Sequence, residues 1–324
     1  MKTKFTEMFG VEHPIMQGGM HYVGFAELAA AVSNAGGLGT ITALTQRTPD
    51  DLAKEIEKCH QLTDKPFAVN VTILPMVNTP DYPGYLKAII EGGVKIVETA
   101  GRSPEKFMDT LKEHGIKVIH KCTSVRHALK AQKIGCDAVS ADGFECGGHP
   151  GEDDIPNFIL LPRVLEELEI PFLASGGFAT GSQLVAALSL GAEGINMGTR
   201  FVATKEAPVH QNVKQAIVNA SELDTRLIMR DLKNTERVLS NKAVDELVTL
   251  EAKKGKDISF DEVAPYVVGK YKDVMMNGKM DVGAWSCGMV AGLINDIPTC
   301  KELIDRIMLD ANTIISNRLS KLIT

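Results

Sequence analysis

The chain has 324 residues, of which 44% are hydrophobic and 23% charged, so it can bury a large core and is neither disordered nor fibrous. Its net charge of −6 argues against nucleic acid as the main partner, because phosphate binding needs clustered lysine and arginine. Small molecules or proteins are the expected partners.

Residues 1–19 carry acidic and polar side chains where a secretory signal would have an unbroken apolar stretch. No apolar run approaches the length of a membrane span. The six cysteines are dispersed without a CxxC pair, which is typical of a reduced compartment. We therefore predict a cytoplasmic protein with no membrane segment, whose cysteines pack in the core.

From the N-terminus to about Phe201 the sequence repeats a short β-branched apolar run, a glycine-rich or polar loop, and an amphipathic helix. The apolar runs predict eight strands, at residues 14–19, 38–43, 66–73, 95–101, 117–123, 137–143, 171–177 and 194–201. Eight such units predict an α/β fold, the (β/α)8 TIM barrel. A doubly wound sheet fits less well, because no GxGxxG follows the first strand.

After Phe201 the rhythm changes, and residues from about 207 to 279 predict helices with charged faces and no strands. A last amphipathic helix is predicted from about Thr299 to Leu319. The sequence thus predicts a barrel formed by residues 1–206 and 283–324, with an appended helical region, residues 207–282, that covers the barrel mouth. The apolar content of the C-terminal helices permits a homodimer.

Two glycine-rich turns, ASGGFATG (174–181) and NMGTRF (196–201), follow the predicted seventh and eighth strands. Phosphate sites of TIM barrels are built there, because glycine lets backbone N–H groups approach an anion and the following helix adds its positive end. The candidate phosphate-binding residues are Ser175, Gly176, Gly177, Gly198 and Thr199. The alternative is that these glycines serve only tight turns.

The first strand ends in an apolar residue, a glutamine and two glycines, which would lay backbone against a large planar ligand. The candidates here are Met16, Gln17 and Gly18. Asn70, at the end of the third strand, adds a neutral amide at the same face. A phosphorylated sugar would not require such a platform, so a flavin is favoured.

Lys121, at the end of the fifth strand, is a candidate catalytic and cofactor-binding residue. A flavin gains negative charge on reduction, and a lysine beside it would stabilise the reduced ring. The alternative is a structural ion pair with Glu98 or Asp142.

The segment DGFECGGHPGEDD (142–154) follows the sixth strand, and its Gly-Gly-His turn would present His149 to the barrel mouth. An imidazole there could take or give a proton, so His149 is the candidate catalytic acid or base. The CxxH spacing from Cys146 has no second ligand pair, and we predict no metal. His120 is a lesser candidate.

The motifs MQGGM, FAVNVTILP, ETAG, HKC, DGFECGGHPGEDD, ASGGFATG, NMGTRF and WSCGMVAG together resemble the nitronate monooxygenase family, formerly called 2-nitropropane dioxygenases. The resemblance spans almost the whole chain. It implies non-covalent FMN, with the glycine-rich turns at its phosphate, Met16, Gln17, Gly18 and Asn70 along the ring, and Lys121 near the pyrimidine edge. His149 matches the active-site histidine of the family.

The resemblance implies, as the leading hypothesis, oxidation of alkyl nitronates with O2 to a carbonyl compound and nitrite. The alternatives on the same FMN site are an NAD(P)H:quinone reductase, which the loop 142–156 and the proline-bearing stretch 70–83 resemble, and an FMN-dependent enoyl-acyl-carrier-protein reductase. NADH or NADPH is then a co-substrate. A non-redox phosphate-binding lyase or isomerase, or an inert scaffold, is the alternative outside flavin chemistry.

Overall fold

A computed structural model describes residues 1–73 and 79–323. Residues 74–78, within the proline-bearing stretch on which the quinone-reductase interpretation drew, lie outside the described residues. Over the described ranges, no helix combines the length and the apolar character needed to cross a membrane. All six cysteines are buried with free thiols, as predicted.

Eight parallel strands form the centre of the molecule, which confirms the predicted TIM barrel. Their bounds are β1 Ile15–Gln17, β2 Gly39–Thr42, β3 Phe67–Ile73, β4 Ile96–Gly101, β5 Lys117–Cys122, β6 Ala138–Asp142, β7 Phe172–Ser175 and β8 Ile195–Met197. Each strand pairs with its sequence neighbour, and β1 pairs with β8. A parallel bridge between Met16 and Leu38 brings β1 to β2 and completes the circuit.

Helices alternate with these strands and pack outside them. Their bounds are α1 Lys4–Phe9, α2 Ala26–Asn34, α3 Pro49–Leu62, α4 Tyr82–Glu91, α5 Glu105–Glu113, α6 Val125–Lys133, α7 Asn157–Glu167, α8 Gly181–Ser189 and α9 Thr199–Val202. The C-terminal part contains α10 Gln211–Asn219, α11 Lys242–Lys254, α12 Phe260–Val267, α13 Lys270–Asn277 and α14 Cys300–Thr313. A capping box at Thr299 starts α14, close to the residue at which the last amphipathic helix was predicted to begin.

The floor of the barrel is closed by α1. Phe5 and Phe9 are buried and pack on an inward-facing cluster that includes Met16, Leu38 and Ile119. Because the N-terminal ends of the strands are filled in this way, the described part of the barrel is open to a ligand at the C-terminal ends of the strands.

Two expectations about strands are wrong. The predicted strand 194–201 ends at Met197, and Thr199–Val202 forms the short helix α9, because Gly198 turns the chain away from the sheet. The region 207–282 also contains strands: β9 Thr225–Ile228 and β10 Glu236–Leu239 form an antiparallel hairpin beside the helices.

Candidate functional site

A cavity of about 970 Å³ opens at the C-terminal ends of the barrel strands. Every strand contributes to its wall directly or through the loop that follows it. Side chains from the appended region, among them Glu236 and Tyr271, complete the wall. A cavity of this size at this face is where TIM barrels place their chemistry.

Most of the residues predicted from the sequence come together in this cavity. The lining includes Gly18, Asn70, Lys121, His149, Ser175, Gly176, Gly177, Gly198 and Thr199. Met16 and Gln17 are not part of it. Met16 points into the barrel core, and the fully buried Gln17 side chain accepts from Thr40 N–H and donates to Gly18 O.

The two glycine-rich turns present free donors to the cavity. Gly176 and Gly177 have φ of +83° and +87°, a conformation that favours glycine. Their carbonyl groups are held by Asn157 Nδ2, 2.5 Å from Gly176 O, and by Gln183 Nε2, which donates to Gly177 O.

Among the described residues, no hydrogen bond uses the N–H groups of Gly176, Gly177, Gly198 or Thr199. These turns therefore offer a set of unpaired amides that could hold an anion such as the phosphate of a cofactor.

The late motif WSCGMVAG packs against two loops of the cavity wall, the loop after β6 and the turn after β8. Gly288 N–H donates to Thr199 Oγ1 at 2.9 Å, and a Cβ on Gly147 would lie 2.6 Å from Gly288 N. The close backbone approach links the loop that carries His149 to the turn after β8, so the motif holds two walls of the cavity in register.

The Gly18–Gly19 turn lies against polar side chains of two strands. A Cβ on Gly19 would meet Asn70 at 2.2 Å, and one on Gly18 would meet Asn196 Oδ1 at 2.7 Å. The glycines are therefore needed for this approach. Glu98, fully buried on β4, accepts hydrogen bonds from Gly19 N–H, Asn70 and Asn196.

Lys121 and Asp142 form an ion pair at the ends of β5 and β6, with 3.4 Å between Nζ and Oδ2. Burial favours the neutral amine, but the carboxylates of Asp142 and Glu98 outweigh it and raise the pKa of Lys121. The lysine is thus a permanent cation in the cavity wall. The structural ion pair considered from the sequence is present, and Lys121 faces the cavity as well.

His149 lies at the open side of the cavity, in the loop after β6. Its Nδ1 donates to Thr235 O at 3.0 Å, and Thr235 immediately precedes β10. The hydrogen bond fixes the tautomer, so Nε2 is the unprotonated nitrogen of the neutral ring. The hairpin that the sequence did not predict is therefore the element that orients the candidate acid–base residue.

His120 is buried and shares a 2.8 Å hydrogen bond between its Nδ1 and Thr99 Oγ1. Burial lowers its pKa to about 4, so the ring is neutral at physiological pH. His120 touches the cavity, but its side chain is buried, whereas His149 is exposed at the open side of the cavity.

Sequence reasoning missed His21, which also lines the cavity. Its ring centroid lies 5.8 Å from that of Tyr271, on α13, and burial lowers the pKa of His21. The signal was present, because His21 lies two residues after the Gly18–Gly19 turn of the first strand, and His149 directly follows Gly147–Gly148.

The chain matches the family model for nitronate monooxygenase over residues 2–310. It is 33% identical to a (3aS,4S,5R,7aS)-5-hydroxy-7a-methyl-1-oxo-octahydro-1H-indene-4-carboxyl-CoA dehydrogenase of Mycobacterium tuberculosis, covering 97% of each chain. A Staphylococcus aureus protein described as "probable nitronate monooxygenase" is 31% identical, over 77% of this chain and 81% of its own. The solved structure of FabK from Thermotoga maritima superposes with a TM-score of 0.91 and 36% identity, covering 99% of each chain.

Proposed function

The chain belongs to the nitronate monooxygenase family of oxidoreductases, and from this premise we propose that it is an FMN-dependent enzyme that acts on the acyl chain of a thioester. NADH or NADPH would be the second substrate. In the reducing direction an enoyl thioester gains a hydride at Cβ and a proton at Cα. The proposal replaces nitronate oxidation as the leading hypothesis and adopts the enoyl-reductase alternative of the sequence analysis.

The main support for the proposal is the similarity of nearly the whole chain to an enzyme that acts on a thioester. An alignment over 97% of 324 residues leaves out about ten residues, so it includes nearly all of the region 207–282 that borders the cavity. That relative is named as a carboxyl-CoA dehydrogenase. The resemblance read from the sequence also includes FMN-dependent enoyl-acyl-carrier-protein reductases, which act on thioesters as well. By comparison, the alignment with the S. aureus protein described as a probable nitronate monooxygenase covers only 77% of this chain, so it supports nitronate oxidation less strongly.

The cofactor proposal is supported by the two glycine-rich turns. Members of this family are generally FMN-dependent, and the free N–H groups of Gly176, Gly177, Gly198 and Thr199 would hold the FMN phosphate. Gly18 and Asn70 would lie along the ring, with the Lys121 cation near its edge. Bound FMN would supply hydride transfer and single-electron transfer to the site.

His149 is our proposed proton donor and acceptor. Its Nε2 has no hydrogen-bond partner among the described residues, while Nδ1 is held by Thr235 O. A protonated ring can deliver its proton to Cα of an enoyl thioester, and a neutral ring can remove that proton in the oxidising direction. The Lys121 cation would stabilise the negative charge that develops in the cavity during reduction.

Nitronate oxidation with O2 is the second candidate. It is supported by the match to relatives described as "probable nitronate monooxygenase", which reaches 35% identity over 69% of the chain for one from Staphylococcus saprophyticus. His149 would then act as the proton donor and acceptor toward the nitronate, and O2 would be the electron acceptor.

The proposal is tested by steady-state assays of the FMN-loaded protein. We expect oxidation of NADH or NADPH that depends on crotonyl-CoA and yields butyryl-CoA. Dependence on a quinone alone would favour the quinone reductase. Uptake of O2 with propionate 3-nitronate, without a response to crotonyl-CoA, would establish the second candidate and reject the first. A protein that takes up no FMN would reject both.

A further inference from the structure

Glu98, on β4, is a carboxylate with no exposed surface. Its Oε2 accepts from Gly19 N–H at 2.8 Å and from Asn70 Nδ2 at 2.7 Å, and its Oε1 accepts from Asn196 Nδ2 at 3.1 Å. These partners come from the turn after β1, from β3 and from β8. One side chain therefore joins three of the elements that line the cavity.

The chemistry of Glu98 also decides how the two amides are oriented. A carboxylate only accepts, so both asparagines must turn their NH2 groups toward it. The Asn70 carbonyl is then engaged by Thr72 Oγ1 at 3.0 Å. The second N–H of Asn196 goes to Ser140 Oγ at 3.1 Å, which leaves Asn196 Oδ1 beside Gly18 as the acceptor on that side.

We propose that Glu98 is the positioning residue of the cofactor site. It fixes the Gly18–Gly19 backbone and the donor and acceptor directions of Asn70 and Asn196, and so determines the hydrogen-bond pattern that the flavin ring meets. The inference rests on the proposed FMN binding. It assigns Glu98 no contact with substrate, and it is independent of which substrate the enzyme uses.

The variant Glu98→Gln tests this with almost no change in volume. Because Oε2 holds two donors, the single oxygen of the glutamine is best kept there, and its NH2 group then faces Asn196 Nδ2. Two donors cannot pair, so Asn196 has to turn over or the turn has to move. Asn196→Asp in the same chain would restore an acceptor opposite the new donor.

The experiment measures the Kd of FMN by titration and the midpoint potential of the bound flavin, for the wild type, E98Q, N196D and E98Q/N196D. We expect E98Q to bind FMN about tenfold more weakly, the effect of a lost hydrogen bond to a charged group, with a shifted potential. N196D, which faces two buried carboxylates against each other, should also be impaired. The double variant should bind FMN better than either single variant.

The inference would be overturned if E98Q had the same Kd for FMN and the same midpoint potential as the wild type. It would also be overturned if the losses of FMN-binding free energy in E98Q and N196D simply added in the double variant. Failure of the wild-type protein to bind FMN would instead overturn the proposed function, and the inference with it. If E98Q does not fold, the same test is made by comparing the Kd of FMN for N196D with that for E98Q/N196D. Improved binding in the double variant supports the pairing, and equal or weaker binding contradicts it.

Discussion

Lys121 Nζ lies 3.4 Å from Asp142 Oδ2 where β5 and β6 end side by side in the barrel mouth. The pair continues through Ser140, whose hydroxyl donates to Asp142 Oδ1 at 3.3 Å and accepts from Asn196. One cation thus faces the carboxylates of Asp142 and Glu98 in a largely buried network. The balance of charge here bears on both the stability of the barrel and the chemistry of the cavity.

Replacing Lys121 with Met should destabilise the protein by about 2 kcal/mol, because Asp142 and Glu98 then lack a compensating charge. K121M/D142N should be more stable than K121M alone, as measured by urea unfolding of the apoprotein. The control is K87M, since the Lys87–Glu91 pair is solvent-exposed and should contribute less than about 1 kcal/mol. Equal unfolding free energies of K121M and the wild type would contradict this account.

His120 should make the free energy of unfolding decrease as the pH falls below about 6.5. Burial holds its folded pKa at about 4, below the unfolded value of about 6.5. The stabilisation is therefore complete above pH 6.5 and is lost as the pH falls from 6.5 toward 4. His120→Asn, which cannot titrate, should lose less stability than the wild type over that range in thermal unfolding. Parallel pH profiles for the two proteins would refute the assignment.

Gly176→Ala should impair both folding and FMN binding. Its φ of +83° is unfavourable for alanine, and the new Cβ would lie 2.9 Å from Cys146 Cβ and from Gly143 O. Gly93→Ala is a matched control, with φ of +73° and open space around it, far from the candidate site. G93A should cost about 1 kcal/mol and keep the wild-type Kd for FMN. Equal effects of the two variants on FMN binding would remove Gly176 from the phosphate site.

His149→Asn should lower kcat about 100-fold while FMN stays bound. Asparagine can keep the donor to Thr235 O but has no counterpart of the imidazole Nε2, so the loop should hold its place. His114→Asn is the control, because His114 also donates to a backbone carbonyl, that of Thr110, outside the cavity. Unchanged kcat in H149N with every substrate would exclude His149 from the proton transfer.

The barrel could be predicted because each of its units repeats a local pattern. A run such as FAVNVTI is buried on both faces, so apolar residues occupy successive positions at Phe67–Val69 and the strand is visible in the sequence. The glycine-rich turn after β7 could be predicted for the same reason, since Gly176 and Gly177 both have a positive φ that favours glycine.

The β9–β10 hairpin could not be predicted in this way. Its strands read TRLI and ERVL, four residues each, with charged side chains inside them. Arg237 is nevertheless buried, because it packs on Phe144, 4.5 Å from the ring centroid, and donates to Phe144 O. Those contacts come from a distant loop, and the strand pattern holds no trace of them.

Part of the site was equally hidden. Glu98 and Asn196 sit within strands, and their role depends on which donors and acceptors from other strands meet them across the barrel. Conversely, Met16 and Gln17 were predicted along the flavin, but alternation along β1 directs Met16 into the core. Local sequence located the turns, whereas the polar network arises only when the strands close.

Anaerobic stopped-flow spectroscopy of the FMN-loaded protein would show whether the bound flavin carries out redox chemistry on a thioester. The flavin is first reduced with NADH or NADPH and then mixed with crotonyl-CoA while its visible absorption is followed. We expect rapid reduction by one of the nicotinamides and rapid reoxidation by crotonyl-CoA without O2. Reduction by propionate 3-nitronate alone, with no response to nicotinamide or crotonyl-CoA, would rule out a thioester substrate and leave nitronate oxidation.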